Sequence, residues 1–390
     1  MNTLFPSELL EKSAKERIDY FKQITIWHPN LKKVFDEVNW ALKDGLPGSL
    51  VFIFGPTGVG KTTLLNLVEK KVLEDYQSIM INNPGILPIV SILAENPHIG
   101  NFDWKNYFKK LLRTMLEPLI DCKDDPHRWK QIKDEYEKLA ANFYRATGGK
   151  YRTAFTNTIK NRETKIKLVD DAQHFGVVAS GRKRSDQSNT IKSVAVASGL
   201  LIAMFGTYEM LPLRNQNGQV SRRGSDIHFR RYVAKDKRDR KCFITALGTL
   251  QRHLPVEIMP DCESHWDFFY ERSLGCIGIL KDWFTKTLSY SLRNKKEINI
   301  KSFEHTALSV VQCSNILSEI IQGEADLVES AEKRFLLRAK LSLDEISKSE
   351  NKGKENSNSD GKKKNNRKPG ERNPKRDKVG IANDQNNISL

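Results

Sequence analysis

Residues 49–63 read SLVFIFGPTGVGKTT, and this stretch decides the fold class. Its first six residues are an apolar run of the length of a buried strand. The eight residues from Gly55 to Thr62 match the pattern G-x-x-x-x-G-K-[ST], in which glycines let the backbone curl so that its N–H groups surround phosphates. A helical pattern follows at once. The order predicts a phosphate-binding loop between a buried strand and a helix, with an ordinary glycine-rich turn as the alternative.

Each part of this loop suits a different part of a nucleoside triphosphate. Lys61 would reach the β- and γ-phosphates as a point charge, and the Thr62 hydroxyl would ligate Mg²⁺. The N-terminus of the following helix adds a favourable dipole. The predicted cofactors are therefore ATP and Mg²⁺. The predicted nucleotide-binding residues are Gly55, Pro56, Thr57, Gly58, Val59, Gly60, Lys61, Thr62 and Thr63.

Further strands and helices alternate along the middle of the chain. Apolar runs predict strands at 87–93, 165–169, 200–205 and 227–233. Helical patterns occur at 61–76, 103–121 and 126–145. Strands separated by helices are typical of a parallel, doubly wound sheet with helices on both faces. We therefore expect an α/β fold with a parallel five-stranded sheet.

Helical patterns also flank this region on both sides. Residues 7–44 predict two helices separated by a turn at His28-Pro29. Beyond 255 the pattern is helical only, at 266–270, 277–289, 303–321 and 325–343. The final segment has no aromatic residue and many Asn, Lys and Gly, which predicts disorder. The predicted domains are an N-terminal helical segment at 1–45, an ATPase core at 46–254, a small helical lid at 255–345 and a disordered basic tail at 346–390.

Two adjacent acids, Asp170 and Asp171, follow the predicted third strand. A phosphate-binding loop of this kind needs an acid at the end of a second strand to hold Mg²⁺. Asp170 fits that role, and Asp171 would orient or deprotonate the attacking water. Aspartate is one methylene shorter than the glutamate common at this position, which predicts slow hydrolysis. The alternative is a capping aspartate pair at a strand–helix turn.

Two further features could contact the γ-phosphate. Thr207 follows the predicted fourth strand, where a polar side chain can meet that phosphate. Arg222 and Arg223 precede the predicted fifth strand, at the rim of such a domain. From there one of them could enter the nucleotide site of a neighbouring subunit and stabilise transferred charge. A solvated basic surface is the alternative, because residues 222–241 contain nine Lys or Arg and three Asp.

The chain is strongly basic, with 64 Lys and Arg against 48 Asp and Glu and a net charge of +16 over 390 residues. Residues 351–390 carry 11 of these basic residues and 5 acidic ones, a net +6, so the remaining residues carry +10. A basic excess permits a polyanionic partner. The helical pattern at 103–121 has a basic face, and a second basic cluster lies at 182–184. The predicted DNA-contacting residues are Lys105, Lys109, Lys110 and Arg113, with a solvated basic surface as the alternative.

Composition argues against several other classes of protein. The five cysteines are odd in number and form no C-x-x-C pair, which argues against a disulfide framework or a tetrathiolate zinc site. The first residues are too charged for a signal peptide, and no apolar run approaches the ~18 residues of a membrane span. We expect a soluble, cytoplasmic protein without a membrane partner.

The motifs appear in an order that resembles one family. They are the phosphate-binding loop, D-D-A-Q-H, a strand ending in F-G-T-Y, the run Q-V-S-R-R…I-H-F-R-R-Y, and R-S-L-G-C-I-G-I-L-K-D-W. The N-terminal stretch R-I-D-Y-F…W-H-P-N-L is similar too. Over roughly 15–290 the chain resembles the TnsC/TniB family of AAA+ ATPases, the target-selection regulators of transposons that use a DDE-type transposase.

This resemblance implies a function and a set of partners. Such proteins bind ATP, assemble on double-stranded DNA as hexameric or heptameric rings or as helical filaments, and link a target-site selector to the transposase. The selector is a TniQ-like protein, a sequence-specific DNA binder or a CRISPR effector complex. Hydrolysis controls assembly and disassembly, in a prokaryotic cytoplasm. The resemblance places Thr207 at the sensor-1 position, Arg222 or Arg223 at the Arg-finger position, and 273–278 where the lid meets the nucleotide.

Two other functions stay open for a chain with this loop. One is a kinase-like enzyme that transfers phosphate to a small molecule, although nothing in the sequence marks a second substrate pocket with its own base. The other is an ATP-gated DNA scaffold without hydrolysis, which the short Asp171 side chain keeps open.

Overall fold

The computed structural model describes residues 3–96, 102–117, 148–176, 181–215 and 224–343, and at 148 and 181–188 it describes the backbone alone. The chain divides into two compact units, Met1–Leu327 and Val328–Leu390. The predicted helix at 126–145, Arg222, Arg223 and the tail at 346–390 lie outside the described residues. In the part of the chain that is described, no helix has the length and apolarity needed to cross a bilayer.

The described part of the chain contains five strands and thirteen α-helices. The strands are β1 (Leu50–Phe54), β2 (Ile89–Leu93), β3 (Ile166–Asp170), β4 (Leu201–Gly206) and β5 (Gly224–His228). The helices up to β5 are α1 (Ala14–Gln23), α2 (Pro29–Asp44), α3 (Lys61–Asn82), α4 (Trp104–Thr114), α5 (Gly148–Asn161), α6 (Gly181–Ser198) and α7 (Leu211–Asn215). Those after β5 are α8 (Lys237–His253), α9 (Trp266–Ser273), α10 (Ile277–Asn294), α11 (Ile300–Thr306), α12 (Val310–Leu327) and α13 (Ala331–Lys340).

The strands form one parallel sheet in the order β2-β3-β4-β1-β5. Every β1 residue is buried, and successive side chains point to opposite faces. Phe52 and Phe54 pack on one face with the apolar side of α4 and α5. Val51 and Ile53 pack on the other face with α2 and α3. This burial on both faces confirms the predicted α/β fold with a parallel five-stranded sheet.

The fifth strand lies earlier in the chain than predicted. The prediction of 227–233 is wrong because β5 is Gly224–His228, a polar edge strand that pairs with β1. Phe229 and Tyr232, which suggested a longer strand, are buried outside the ladder. Phe229 joins the core between the sheet and α2–α3, whereas Tyr232 packs among the C-terminal helices.

The helices after β5 form a second core together with α1. Phe21 of α1 stacks on Phe284 of α10 with ring centroids 6.5 Å apart, and Phe303 of α11 lies 4.7 Å from Phe284. N-terminal and C-terminal helices therefore share one apolar cluster. The predicted domain boundaries at 45/46, 254/255 and 345/346 stay a prediction.

Two predicted C-terminal helices are wrong in extent. The predicted helix at 303–321 is divided into α11 and α12 because Ser309 caps a new helix: its hydroxyl accepts from Gln312 N–H, and its own N–H donates to Gln312 Oε1. The predicted helix at 325–343 is likewise divided. The first unit ends with α12 at Leu327, and in the second unit α13 begins after Ser330, whose hydroxyl accepts from Lys333 N–H.

Candidate nucleotide-binding site

The loop after β1 adopts a conformation that requires its glycines. Gly58 and Gly60 have φ angles of +72° and +114°, which side chains disfavour. Gly55 donates its N–H to Gly206 O at the end of β4 over 3.2 Å. A Cβ on Gly55 would lie 2.6 Å from Phe229 O, so the loop also lies tightly against the chain that leaves β5.

Lys61 occupies the centre of this loop and is buried. Its Nζ donates to the carbonyl oxygens of Gly55 and Pro56, both at 2.9 Å. Burial lowers the pKa of Lys61 to about 8, while the nearby Asp170 and Asp171 act in the opposite direction. An ammonium group held inside a loop whose backbone can surround phosphates has the position that triphosphate binding requires.

The first turn of α3 meets the end of β3 through Thr62 and Asp170. The Thr62 hydroxyl donates to Asp170 Oδ2 over 2.7 Å. Burial raises the pKa of Asp170, and the hydrogen bond from Thr62 opposes that shift. A hydroxyl and a carboxylate oxygen side by side suit a hard divalent cation such as Mg²⁺. Within the described ranges no group of three or more His, Cys, Asp or Glu could hold a metal.

Asp171 and Thr207 lie on neighbouring strand ends and share a contact with Gln173. Asp171 has a left-handed backbone, with φ of 50°. Gln173 Nε2 donates to Asp171 Oδ1, and Gln173 Oε1 accepts from Thr207 N–H, both over 3.2 Å. The Thr207 hydroxyl is buried and has no hydrogen-bond partner among the described residues. Sequence reasoning missed Gln173, although its place two residues after Asp171 was visible.

His28 borders a pocket beside the loop. Its Nδ1 lies 2.9 Å from the Tyr232 hydroxyl and accepts from Leu31 N–H, which caps α2. Burial lowers the pKa of His28 to about 4, so the ring is neutral at pH 7. The pocket is lined by Ile24, Thr25, Ile26, His28, Leu31, Val59, Gly60, Thr63, Ile277, Gly278 and Lys281. The pocket adjoins the phosphate-binding loop through Val59, Gly60 and Thr63.

The start of α10 rests directly on the loop. Ile279 donates its N–H to Gly58 O over 3.0 Å. A Cβ on Gly278 would lie 2.3 Å from the same oxygen. Sequence reasoning expected 273–278 near the nucleotide, but the loop contact itself is made by Gly278 and Ile279. At this contact the helical part presents a glycine and no cation to the loop.

The predicted trans-acting arginines cannot be placed, because Arg222 and Arg223 are outside the described ranges. The strand that follows them starts at Gly224, which pairs with Leu50. Leu50 is the first residue of β1, whereas the loop follows the last residue of that strand. β5 therefore begins at the N-terminal ends of the strands, and the loop lies at their C-terminal ends.

The predicted DNA-contacting residues lie on α4. Lys105 and Arg113 are exposed, and Lys109 is half-buried. Lys110 is also half-buried and forms an ion pair with Glu95. The opposite side of the helix is buried against the sheet through Tyr107, Phe108, Leu111 and Leu112. Arg113 lies on the helix face away from the core, whereas the exposed Lys105 has its Nζ 6.0 Å from the ring centre of the buried Tyr151.

One family model and several solved structures are similar to this chain. Residues 47–213 match the family model described as AAA domain. No curated protein matches the chain. A Walker-type ATPase of Pyrococcus abyssi is similar in structure, with 13% identity, 75% of this chain and 73% of that chain covered, and a TM-score of 0.44. The ORC2 protein of Aeropyrum pernix, solved as ADPNP–ADP complexes, has 13% identity, 77% and 71% coverage and a TM-score of 0.44. Cdc6p of Pyrobaculum aerophilum has 12% identity, 71% and 66% coverage and a TM-score of 0.47.

The matched segment contains the loop, the acid pair and Thr207, on three adjacent strands of the sheet. The order β2-β3-β4-β1-β5 places the ends of β3, β4 and β1 side by side. The chain has the AAA+ P-loop fold with C-terminal helices, and residues 47–213 are the segment that matches the AAA domain model.

Proposed function

We propose that this protein binds and hydrolyses ATP, and that it uses this cycle to control its assembly on double-stranded DNA as a regulator of transposition. The observation that carries the ATPase part is the meeting of Lys61, Thr62 and Asp170 at one loop. Lys61 is buried inside the loop, and Thr62 contacts Asp170 although 108 residues separate them in sequence. A cation, a hydroxyl and a carboxylate at the end of a parallel strand form the constellation that this loop needs for nucleotide binding.

The residues around the loop divide the chemistry between them. Lys61 binds the β- and γ-phosphates, and Thr62 and Asp170 would hold a Mg²⁺ ion. When bound, that ion would neutralise charge on the transferred phosphate. Asp171 accepts a proton from the attacking water or orients it, and the Thr207 hydroxyl meets the γ-phosphate. Arg222 or Arg223 stabilises transferred charge at the nucleotide of a neighbouring subunit.

The DNA-dependent part of the proposal rests on charge and on the resemblance to TnsC/TniB proteins. Residues 1–350 keep a net charge of +10 without the basic tail, and α4 exposes Lys105 and Arg113. Phosphate contacts from such side chains bind DNA without reading its sequence. We infer a ring or filament that encloses DNA and links a transposase to a target-site selector, which is a TniQ-like protein, another DNA binder or a CRISPR effector complex.

ATP turnover of the full chain with and without duplex DNA tests this proposal. We expect hydrolysis, stimulated by DNA, and loss of ATP binding or use in Lys61→Ala, because no other described cation lies inside the loop. Arg338→Ala, outside the first compact unit, is the matched control and should keep turnover. Phosphorylation of a small acceptor independent of DNA would identify a kinase and contradict the proposal.

The short side chain of Asp171 leaves one alternative function open, an ATP-gated DNA scaffold without hydrolysis. ATP-dependent DNA binding without any turnover would point to a non-hydrolysing scaffold, in which Asp171 fails as a base. Full DNA binding by Lys61→Ala in the absence of nucleotide would contradict ATP control of assembly. Electron microscopy of the protein on duplex DNA with a non-hydrolysable ATP analogue would show the ring or filament directly.

A further inference from the structure

Gln173 joins the two strand ends that face the triphosphate. It lies in a 3-10 helix, Ala172–Gly176, immediately after the acid pair. Its side-chain amide bonds Asp171 at one end and the backbone of Thr207 at the other, each over 3.2 Å. These two partners come from the ends of β3 and β4, which are adjacent in the sheet.

The chemistry of the partners fixes the orientation of this amide. An ionised carboxylate only accepts hydrogen bonds, and a backbone N–H only donates them. The Gln173 NH₂ group must therefore face Asp171, and its oxygen must face Thr207. A side-chain amide offers both a donor and an acceptor at its tip, on separate atoms. Glutamate has the same length but, when ionised, could serve Thr207 alone.

The surrounding backbone is shaped to admit this side chain. A Cβ on Gly206 would lie 2.8 Å from Gln173 Oε1 and 3.3 Å from Gln173 N, so only glycine leaves the required space. Asp171 has a left-handed backbone, which non-glycine residues seldom adopt. Within the described residues, the Asp171 carboxylate accepts a side-chain hydrogen bond from Gln173 Nε2. The Asp171 N–H donates to Asp170 Oδ1 over 3.0 Å.

We propose that Gln173 is a positioning residue for hydrolysis: it sets the direction of the Asp171 carboxylate and ties it to the backbone of Thr207. This inference rests on the proposed ATPase function. Its physical reason is the short reach of Asp171, because an aspartate tolerates less error in direction than a longer acid that can adjust. Fixing Thr207 through its backbone leaves its buried hydroxyl for the γ-phosphate.

The test compares Gln173→Leu and Gln173→Glu with the wild-type chain in ATP turnover and in equilibrium binding of a fluorescent ATP analogue. Both variants should lower kcat about 10–100-fold, while KM and analogue affinity change less than about 2-fold. Gln322→Leu is the matched control, because Gln322 also donates to an aspartate, Asp326, over 3.2 Å but lies exposed on α12. It should leave both quantities unchanged.

A double variant shows whether Gln173 acts through Asp171. Asp171→Asn removes the proton acceptor, so adding Gln173→Leu should lower kcat no further. A second, multiplicative loss would overturn the inference, as would wild-type kcat in Gln173→Leu. Matching thermal unfolding of the variants excludes loss of fold as the cause. Wild-type protein without turnover would instead overturn the proposed function, and with it the role of Gln173.

Discussion

Lys167 is a lysine buried in the central sheet, and removing its ammonium group from water lowers the stability of the folded state. Lys167 of β3 is only 4% exposed, and its Nζ lies 4.7 Å from the ring centre of Tyr107 and 5.3 Å from that of Phe155. Burial lowers the pKa of Lys167 to about 7. The aromatic faces attract the ammonium group but replace its hydration only in part.

This lysine predicts a dependence of stability on pH. The folded state binds fewer protons than the unfolded state between the folded pKa of about 7 and the ordinary value of 10.5. The free energy of unfolding should therefore rise with pH across that window, by up to about 1.4 kcal/mol per pH unit. Lys167→Met should be more stable than wild type at pH 7. Between pH 7 and 9, its free energy of unfolding, measured with urea, should rise less steeply with pH than that of wild type.

Lys61 supplies the internal comparison for that measurement. Its pKa is lowered to about 8, so it contributes a rise of the same sign at somewhat higher pH. Lys71→Met is the matched control, because Lys71 is a half-buried surface lysine whose bond to Asp75 raises its pKa. If the free energy of unfolding of Lys167→Met rose with pH as steeply as that of wild type, Lys167 would not be the cause of the pH dependence.

At the scale of elements, the contact between α10 and the phosphate-binding loop depends on a glycine. Gly278→Ala would place a methyl group 2.3 Å from Gly58 O, where no flexible side chain can yield. The start of α10 must then move away from the loop. We expect nucleotide affinity to fall about 10-fold or more, although alanine ordinarily stabilises a helix relative to glycine by about 1 kcal/mol. Binding of a fluorescent ATP analogue measures this.

Gly176→Ala is the control for that substitution, since a Cβ at Gly176 meets nothing within 4 Å. It should bind the analogue as wild type does. Unchanged affinity in Gly278→Ala would show that the contact between α10 and the loop has no part in nucleotide binding.

The same elements show how far sequence reasoning reaches. The strand before the loop was predictable because β1 is apolar throughout, and burial on both faces leaves a continuous apolar run. β5 was misplaced because an edge strand needs few apolar residues, and its neighbours Phe229 and Tyr232 are buried for other reasons. α8 was missed because basic residues dominate its first turns.

Predicting the site had a similar limit. The loop motif is local, so its residues could be named from spacing alone. The bond from Gln173 to the backbone of Thr207 joins residues 34 apart in sequence, and only the sheet order brings them together. The roles of Asp170, Asp171 and Thr207 in catalysis stay predictions.

At the scale of the whole molecule, net charge predicts how DNA binding responds to salt. Each phosphate contact that is lost lowers the slope of log affinity against log salt concentration by about 1. Lys105→Ala and Arg113→Ala should each reduce the slope by that amount in duplex binding with ATP. Lys43→Ala, at an exposed lysine outside α4, is the matched control. Equal slopes for all three variants would exclude α4 from the DNA-binding surface.

One feature of the whole molecule bears on the timing of the ATP cycle. The chain leaving β5 makes three contacts. Phe229 lies against the loop, and the Tyr232 hydroxyl bonds His28. The Tyr232 N–H donates to Gly275 O over 3.0 Å. The C-terminal helices also bond the loop itself at Gly58. Outward movement of these helices would have to break both backbone bonds, and under the proposed ATPase function we expect this opening to limit the release of nucleotide.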